Sequence, residues 1–332
     1  MTETIPAAAL KPGTKPHIGV LINPYSGGNK NGLTAIRQTI AQYPRISHCD
    51  VHKPPAVLGA LEGFARRGVE LVVVNGGDGT VQAVLTALLH NRPFKTMPPL
   101  AVLQSGTTSM TARDVGFTGS PVKALETIFR WAGSESGDAR IVQRPVLQVQ
   151  APGNDPHYGM FFGTAGIYQG IEYFHRNLNS RGLKGELGPG LTIVRFLWSA
   201  SFRRSGFLSS VPITVAVDDR PAQDVDCIVL LISTLERLFL GLYPYWGDEK
   251  GALHFTALRN RPRRLVQCLP YILRGRKSQR IRPENGYHSH NAHKISLHTD
   301  SGFTIDGQLY KPGNRHEPIV VQSGGTAAFL RL

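Results

Sequence analysis

A chain of 332 residues is long enough for two domains. With 41% hydrophobic and 18% charged residues it has the composition of an ordinary globular protein with a sizeable core, which excludes a disordered or fibrous chain. Its net charge of +14 calls for an anionic partner, whether nucleotide, nucleic acid or acidic membrane surface.

Cys49, Cys227 and Cys268 are too few and too scattered for a disulfide framework or a zinc site, so a reducing, cytoplasmic compartment is expected. No apolar run approaches the ~20 residues that span a bilayer. Residues 1–16 read as a loose arm, rich in Pro, Ala and Thr and without the apolar core of a signal peptide. His17 to Ile22 then reads as a buried strand that ends at Asn23-Pro24-Tyr25-Ser26-Gly27-Gly28, a loop offering a hydroxyl and backbone N–H groups. Leu33, Ile36 and Ile40 mark a helix, and Val57 to Arg67 a second one.

Leu71 to Val74 forms a strand apolar on both faces, followed by Gly76-Gly77-Asp78-Gly79-Thr80. Thr80 is placed to cap a helix through Val81, Val84, Leu85 and Leu88. Strand, glycine turn and helix start together form an anion site. Asp78 places a carboxylate inside it, suited either to a metal ion or to accepting a proton. A third strand, Pro99 to Leu103, leads into Gly106-Thr107-Thr108, and Pro121 to Trp131 adds a helix. Strands each followed by a polar loop and a helix describe a parallel α/β sheet with all three loops at its carboxyl edge.

Beyond Arg140 the pattern changes to short runs of β propensity: Val146–Gln150, Tyr158–Thr164, Val211–Val217, Cys227–Ser233, His254–Ala257, Lys294–His298 and Ile319–Gln322. They predict a largely antiparallel β-rich second domain, interrupted by a helix from Leu191 to Phe202. Charge is uneven: 14 basic residues stand against 9 acidic ones up to Arg140, and 23 against 14 after it. Between Arg259 and Arg282 there are nine basic residues and no acid. Within that stretch Leu265, Val266, Leu269, Ile272 and Leu273 share one helical face. This suits either a peripheral membrane element or a helix packed on the second domain with solvated arginines. No nucleic-acid recognition module accompanies the charge. His288, His290 and His293 are expected in an exposed loop, since no carboxylate or cysteine is close in sequence.

These loops, in this order, resemble the diacylglycerol kinase catalytic family, the bacterial lipid kinases related to sphingosine and ceramide kinases. Asn23-Pro24-Tyr25-Ser26-Gly27 is similar to the family's first nucleotide loop, Gly76 to Thr80 matches its signature loop, and Gly106-Thr107-Thr108 resembles its third motif. Trp246-Gly247-Asp248-Glu249 resembles an acidic loop that in some members holds magnesium, and Ile305-Asp306-Gly307-Gln308 stands where the family has Asp-Gly-Glu.

The resemblance implies an arm over 1–16, a nucleotide-binding kinase domain over 17–140 with a return strand at about 324–332, and a β-rich lipid-binding domain over 141–323. It implies ATP and Mg²⁺ as cofactors and a lipid acceptor at an anionic membrane surface, with the protein peripheral to the membrane's inner face and a homodimer compatible. Asp78, Asp306 and Gln308 fall at catalytic positions. His52 joins the three loops as nucleotide-binding, Glu172 is a substrate position, and Asp78 and Asp248 are metal positions. The departures are Gln82-Ala83 for Asn-Glu, Ser109-Met110 for Asn-Asp, and Gln308 for the glutamate taken as base. They leave Asp78 as the remaining carboxylate for the base. Two other readings stand beside the lipid kinase: an NAD kinase-like enzyme, and a catalytically impaired nucleotide- or lipid-binding protein.

Overall fold

The computed structural model describes residues 15–29, 32–43, 45–134, 139–177, 209–312 and 316–332. Residues 1–14 of the expected arm and the expected helix from Leu191 to Phe202 lie outside the described residues. The chain divides into two compact units, Met1–Val146 with Gly325–Leu332, and Leu147–Gly324.

The first unit runs β1 (Ile18–Ile22), α1 (Leu33–Ala41), β2 (Ser47–Asp50), α2 (Pro55–Arg66), β3 (Leu71–Gly76), α3 (Asp78–Thr86), β4 (Leu100–Gln104), α4 (Met110–Val115) and α5 (Pro121–Gly133). Its strands are parallel: β2 pairs with β1, β1 with β3, β3 with β4, and Phe329 near the C-terminus pairs with Leu100. Alternation along each strand sends side chains to two opposite layers. Ile18, Val20, Ile22, Leu71 and Val73 pack with Ile36 and Ile40 of α1 and Leu125 and Ile128 of α5. On the opposite face Phe64 of α2 lies so close to Gly19 that a Cβ there would meet its ring at 2.8 Å.

Two features depart from expectation. Strand β2 was hidden because Ser47-His48-Cys49-Asp50 has no apolar run; as an edge strand paired only with β1 it needs none. Helix α3 starts at Asp78 with Gly77 as its N-cap in extended conformation (φ −85°, ψ 179°), so Thr80 is the third helical residue and not the cap. A Cβ at this cap position would stand 3.3 Å from the Gly106 Cα of the third loop, a tight contact.

The second unit is antiparallel. Its elements are β6 (His157–Gly159), β7 (Phe161–Ala165), α6 (Gly166–Asn177), β8 (Val211–Val217), β9 (Gln223–Ser233), β10 (Leu253–Arg259), α7 (Leu265–Ile272), β11 (Tyr287–Ala292), β12 (Lys294–His298), β13 (Phe303–Ile305) and β14 (Gln308–Tyr310). Strands β5 (Arg140–Gln150) and β15 (Ile319–Arg331) carry the chain from one unit to the other. Strand β9 is the hub, pairing with β7, β8 and β10. The core is an apolar cluster that includes Phe162, Leu230, Phe255, Ile295, Phe303 and Val321.

His288 and His290, expected in an exposed loop, lie in β11 paired with β10. They are half-buried and alternate with buried Tyr287 and Ser289, a period-two pattern masked by polar residue types. Of the helical face expected between Leu265 and Leu273, Ile272 is buried and Val266 is exposed, with Cys268 buried in its place.

Phe64→Ala is expected to destabilise the first unit by about 3–5 kcal/mol, since a fully buried ring over a glycine leaves a cavity that rigid strands cannot fill. Urea unfolding of the variant measures it; a loss under about 1 kcal/mol would show that α2 collapses onto β1.

Candidate functional site

Strand order reverses at β1: the chain moves outward to β2 on one side of it and returns to β3 on the other. The carboxyl ends of β1 and β3 therefore flank a switch point, the usual ligand position in an open parallel sheet. The glycine loops leave those two ends, and the third leaves β4 beside them.

The three loops are locked to one another. The Gly77 N–H donates to the Ser26 hydroxyl at 3.0 Å, and Asn23 Nδ2 donates to the Thr80 hydroxyl at 2.9 Å. The Gly28 N–H donates to the Ser105 carbonyl at 2.9 Å. Backbone lies directly on backbone, for a Cβ on Gly106 would stand 2.6 Å from the Gly77 Cα. Glycine at Gly106 is thus a packing requirement.

Three residues beyond the motif positions complete the lock. Buried Asn29 donates through Nδ2 to the Asn23 carbonyl at 2.7 Å and the Asn75 carbonyl at 3.3 Å. The buried Ser105 hydroxyl donates to Asn75 Oδ1. Asn75 and Ser105 each directly precede a glycine loop, and a polar residue closing an otherwise apolar strand was the available signal. Tyr25, 70% exposed, has its ring 5.4 Å from that of exposed His52, and Thr107 is also exposed. The structure thus brings Asn23 to Gly28, Gly76 to Thr80, Gly106 to Thr108 and His52 together in one unit.

Asp78 is the cross-link. It is buried, its Oδ2 accepts from the Thr108 hydroxyl at 2.6 Å and the Met110 N–H at 3.1 Å, and its Oδ1 accepts from the Thr111 N–H at 3.1 Å. Met110 and Thr111 open α4, so the carboxylate satisfies two of that helix's otherwise unpaired amides from a different segment. Burial pushes the Asp78 carboxyl above its ordinary range, opposed by the hydrogen bonds from Thr108, Met110 and Thr111. These bonds tie the Asp78 carboxylate, the residue expected as base or metal ligand, to the third loop and to the start of α4. The replacements at Ser109 and Met110 leave the link intact, since it uses the Met110 backbone.

The second unit holds the remaining positions. Asp306 is buried with φ 47°, and its oxygens accept from the Met160 N–H at 3.0 Å and the Phe161 N–H at 2.9 Å. It locks the turn between β6 and β7. Gln308 is exposed at the start of β14. Glu172 accepts from the Tyr168 hydroxyl at 3.3 Å and from Arg176 at 3.0 Å, both on its own helix.

The acidic loop does not fit a metal ion. Asp248 pairs with Lys277, and Glu249 Oε1 accepts from Arg220 at 2.8 Å and from His290 Nδ1 at 2.6 Å. A divalent cation would face protein cations already in place. Among the described residues no group of three or more His, Cys, Asp or Glu is arranged to hold a metal. Asp248, the expected metal position, is thus paired with Lys277. Burial raises the Glu249 carboxyl, but hydrogen bonds from His290, its own backbone, Asn291 and Arg220 outweigh that and hold it at about 2.

The comparisons support a kinase for the domain that holds the parallel sheet and its three interlocked loops. Residues 17–137 match the diacylglycerol kinase catalytic domain, and that stretch is a domain of this family. A crystal structure of a diacylglycerol kinase from Bacillus anthracis str. Sterne aligns with a TM-score of 0.59 at 17% identity, over 95% of this chain and 97% of that one. Another from the same organism, assigned provisionally as a diacylglycerol kinase, aligns at 0.62 with 18% identity and the same coverage. At such identities they show the shared fold, α/β followed by antiparallel β. No curated protein sequence matches the chain.

Asp78→Asn would set an amide N–H₂ against a backbone donor, and is expected to cost about 1–3 kcal/mol of stability and to weaken nucleotide binding with it. Urea unfolding and calorimetric titration with ATP read both. A variant that binds at full strength yet turns nothing over would restore Asp78 as base. For Glu249, a lowered carboxyl contributes stability above its unfolded value of 4.5 that is lost as pH falls towards about 2. The midpoint difference between wild type and Glu249→Gln should therefore be present at neutral pH and vanish across that window, and EDTA should leave both midpoints unchanged.

Proposed function

We propose that the chain is an ATP-dependent lipid kinase that phosphorylates a hydroxyl of a diacylglycerol-type lipid, a ceramide or a sphingoid base. The observation that carries this reading is the set of three glycine loops, locked at the switch point inside the matched kinase domain. ATP enters as its magnesium complex, so the metal ion arrives with the substrate and no resident carboxylate cage is needed.

The phosphates lie against Asn23 to Gly28, Gly76 to Thr80 and Thr107–Thr108, where the first amides of α3 have no intrahelical partner. Tyr25 and His52 flank the nucleotide from the exposed rim. Asp78 is a positioning residue: it sets the third loop and the start of α4 relative to the second loop. The lipid oxygen forms a bond to the γ-phosphorus as the bond to the β–γ bridging oxygen breaks. Phosphoryl transfer passes through a loose transition state governed by positioning and charge, so the hydroxyl proton leaves late, to an oxygen of the transferred phosphoryl group and then to water, and a strong base contributes little. The exposed amide of Gln308 is compatible with that chemistry. The antiparallel unit receives the acyl chains, and the enzyme works from the inner face of the membrane. Among the described residues no helix is long and apolar enough to cross it.

Labelled ATP incubated with diacylglycerol, monoacylglycerol, ceramide and sphingoid base in detergent micelles, with NAD in parallel, tests the reading. Label is expected in one lipid class. Label only in NADP would overturn the lipid acceptor, and ATP binding without any transfer would establish a nucleotide-binding protein instead.

A further inference from the structure

The stretch from Arg259 to Arg282 carries more than charge. Arg261, Arg263, Arg264, Arg276 and Arg282 are exposed and form no ion pair or side-chain hydrogen bond among the described residues. Beside them three large apolar side chains stand in solvent: Leu240 at 64% exposure, Val266 at 50% and Tyr271 at 46%. Val266 and Tyr271 belong to α7, which is anchored by buried Cys268 and Ile272.

Leu240 sits at the tip of a tight loop closed by the Leu238 N–H donating to the Leu242 carbonyl at 2.8 Å. That loop is tied to the end of α7 by the Tyr243 N–H, which donates to the Leu273 carbonyl at 3.0 Å. The Leu240 backbone is left-handed, φ 57°, a conformation disfavoured for leucine, and it follows directly on buried Leu238 and Phe239. A strained backbone is thus fixed in place while its aliphatic side chain points outward.

We propose that this face of the second unit, Leu240, Val266 and Tyr271 among the unpaired arginines, docks on an anionic lipid bilayer. Aliphatic and aromatic tips enter the headgroup–acyl boundary while arginines meet lipid phosphates, the division of labour of a monotopic membrane surface. Charge alone would suit a nucleic acid as well. The exposed aliphatic tips favour lipid, because a polyanion in water gains nothing from Leu240 or Val266. The proposal deepens the lipid-acceptor reading but is measured without turnover, so the two fail separately.

The full chain is sedimented with vesicles of phosphatidylcholine alone and of phosphatidylcholine with phosphatidylglycerol, at low and high salt, and titrated against a duplex oligonucleotide. Wild type is expected to sediment with the anionic vesicles and to be released by salt. The L240S/V266S/Y271S variant should lose about tenfold or more in vesicle affinity, and R263E/R264E at least about tenfold. Both variants should keep the wild-type thermal midpoint and ATP affinity. Should the triple variant unfold, Val266→Ser alone carries the test at a half-exposed site. Wild-type sedimentation by the triple variant, equal binding to neutral vesicles, or binding to the oligonucleotide alone would each overturn the proposal. Docking without lipid phosphorylation would sink the kinase reading only; phosphorylation of micellar lipid without sedimentation would sink the docking only.

Discussion

The first unit's site depends on one buried carboxyl group that accepts three hydrogen bonds. Asp78 reaches from the start of α3 to the Thr108 hydroxyl and to the two amides that open α4. Without it, a six-residue helix would begin with unpaired donors in a buried position, and the third loop would have no fixed height above the second. Each donor that Asp78 satisfies offsets part of the desolvation that pushes its carboxyl upward. Around this link, Asn75, Ser105 and Asn29 supply a polar layer beneath loops whose strands are otherwise wholly apolar.

The second unit meets an electrostatic problem of the opposite kind. Its acidic loop projects Asp248 and Glu249 from one sequence neighbourhood, and like charges there need compensation. Lys277, Arg220 and His290 supply it from three other segments. Compensation by side chains is permanent and titratable, whereas a bound ion is exchangeable.

Much of the fold was legible because its strands are extreme in composition. Strands β1, β3 and β4 are unbroken apolar runs, and Ile36 and Ile40 or Leu125 and Ile128 recur at helical spacing. Strands β2 and β11 were not legible: an edge strand and a strand with half-buried histidines show no apolar run. The glycine loops were readable as loops, and their residue types announced a phosphate site. What Asp78 does there was not, since two of its three partners are backbone amides, which look alike at every position. The pairing of Asp248 with Lys277 was hidden for another reason, as 29 residues separate partners that only the tertiary fold makes neighbours.

The contact between Gly77 and Gly106 has a consequence for how a ligand is received. Two loops that touch main chain to main chain have no side chains between them to rearrange. Their ordering entropy is spent when the chain folds, and little is left to lose when a nucleotide arrives. Such a cradle receives a ligand by rigid fit rather than by rearrangement.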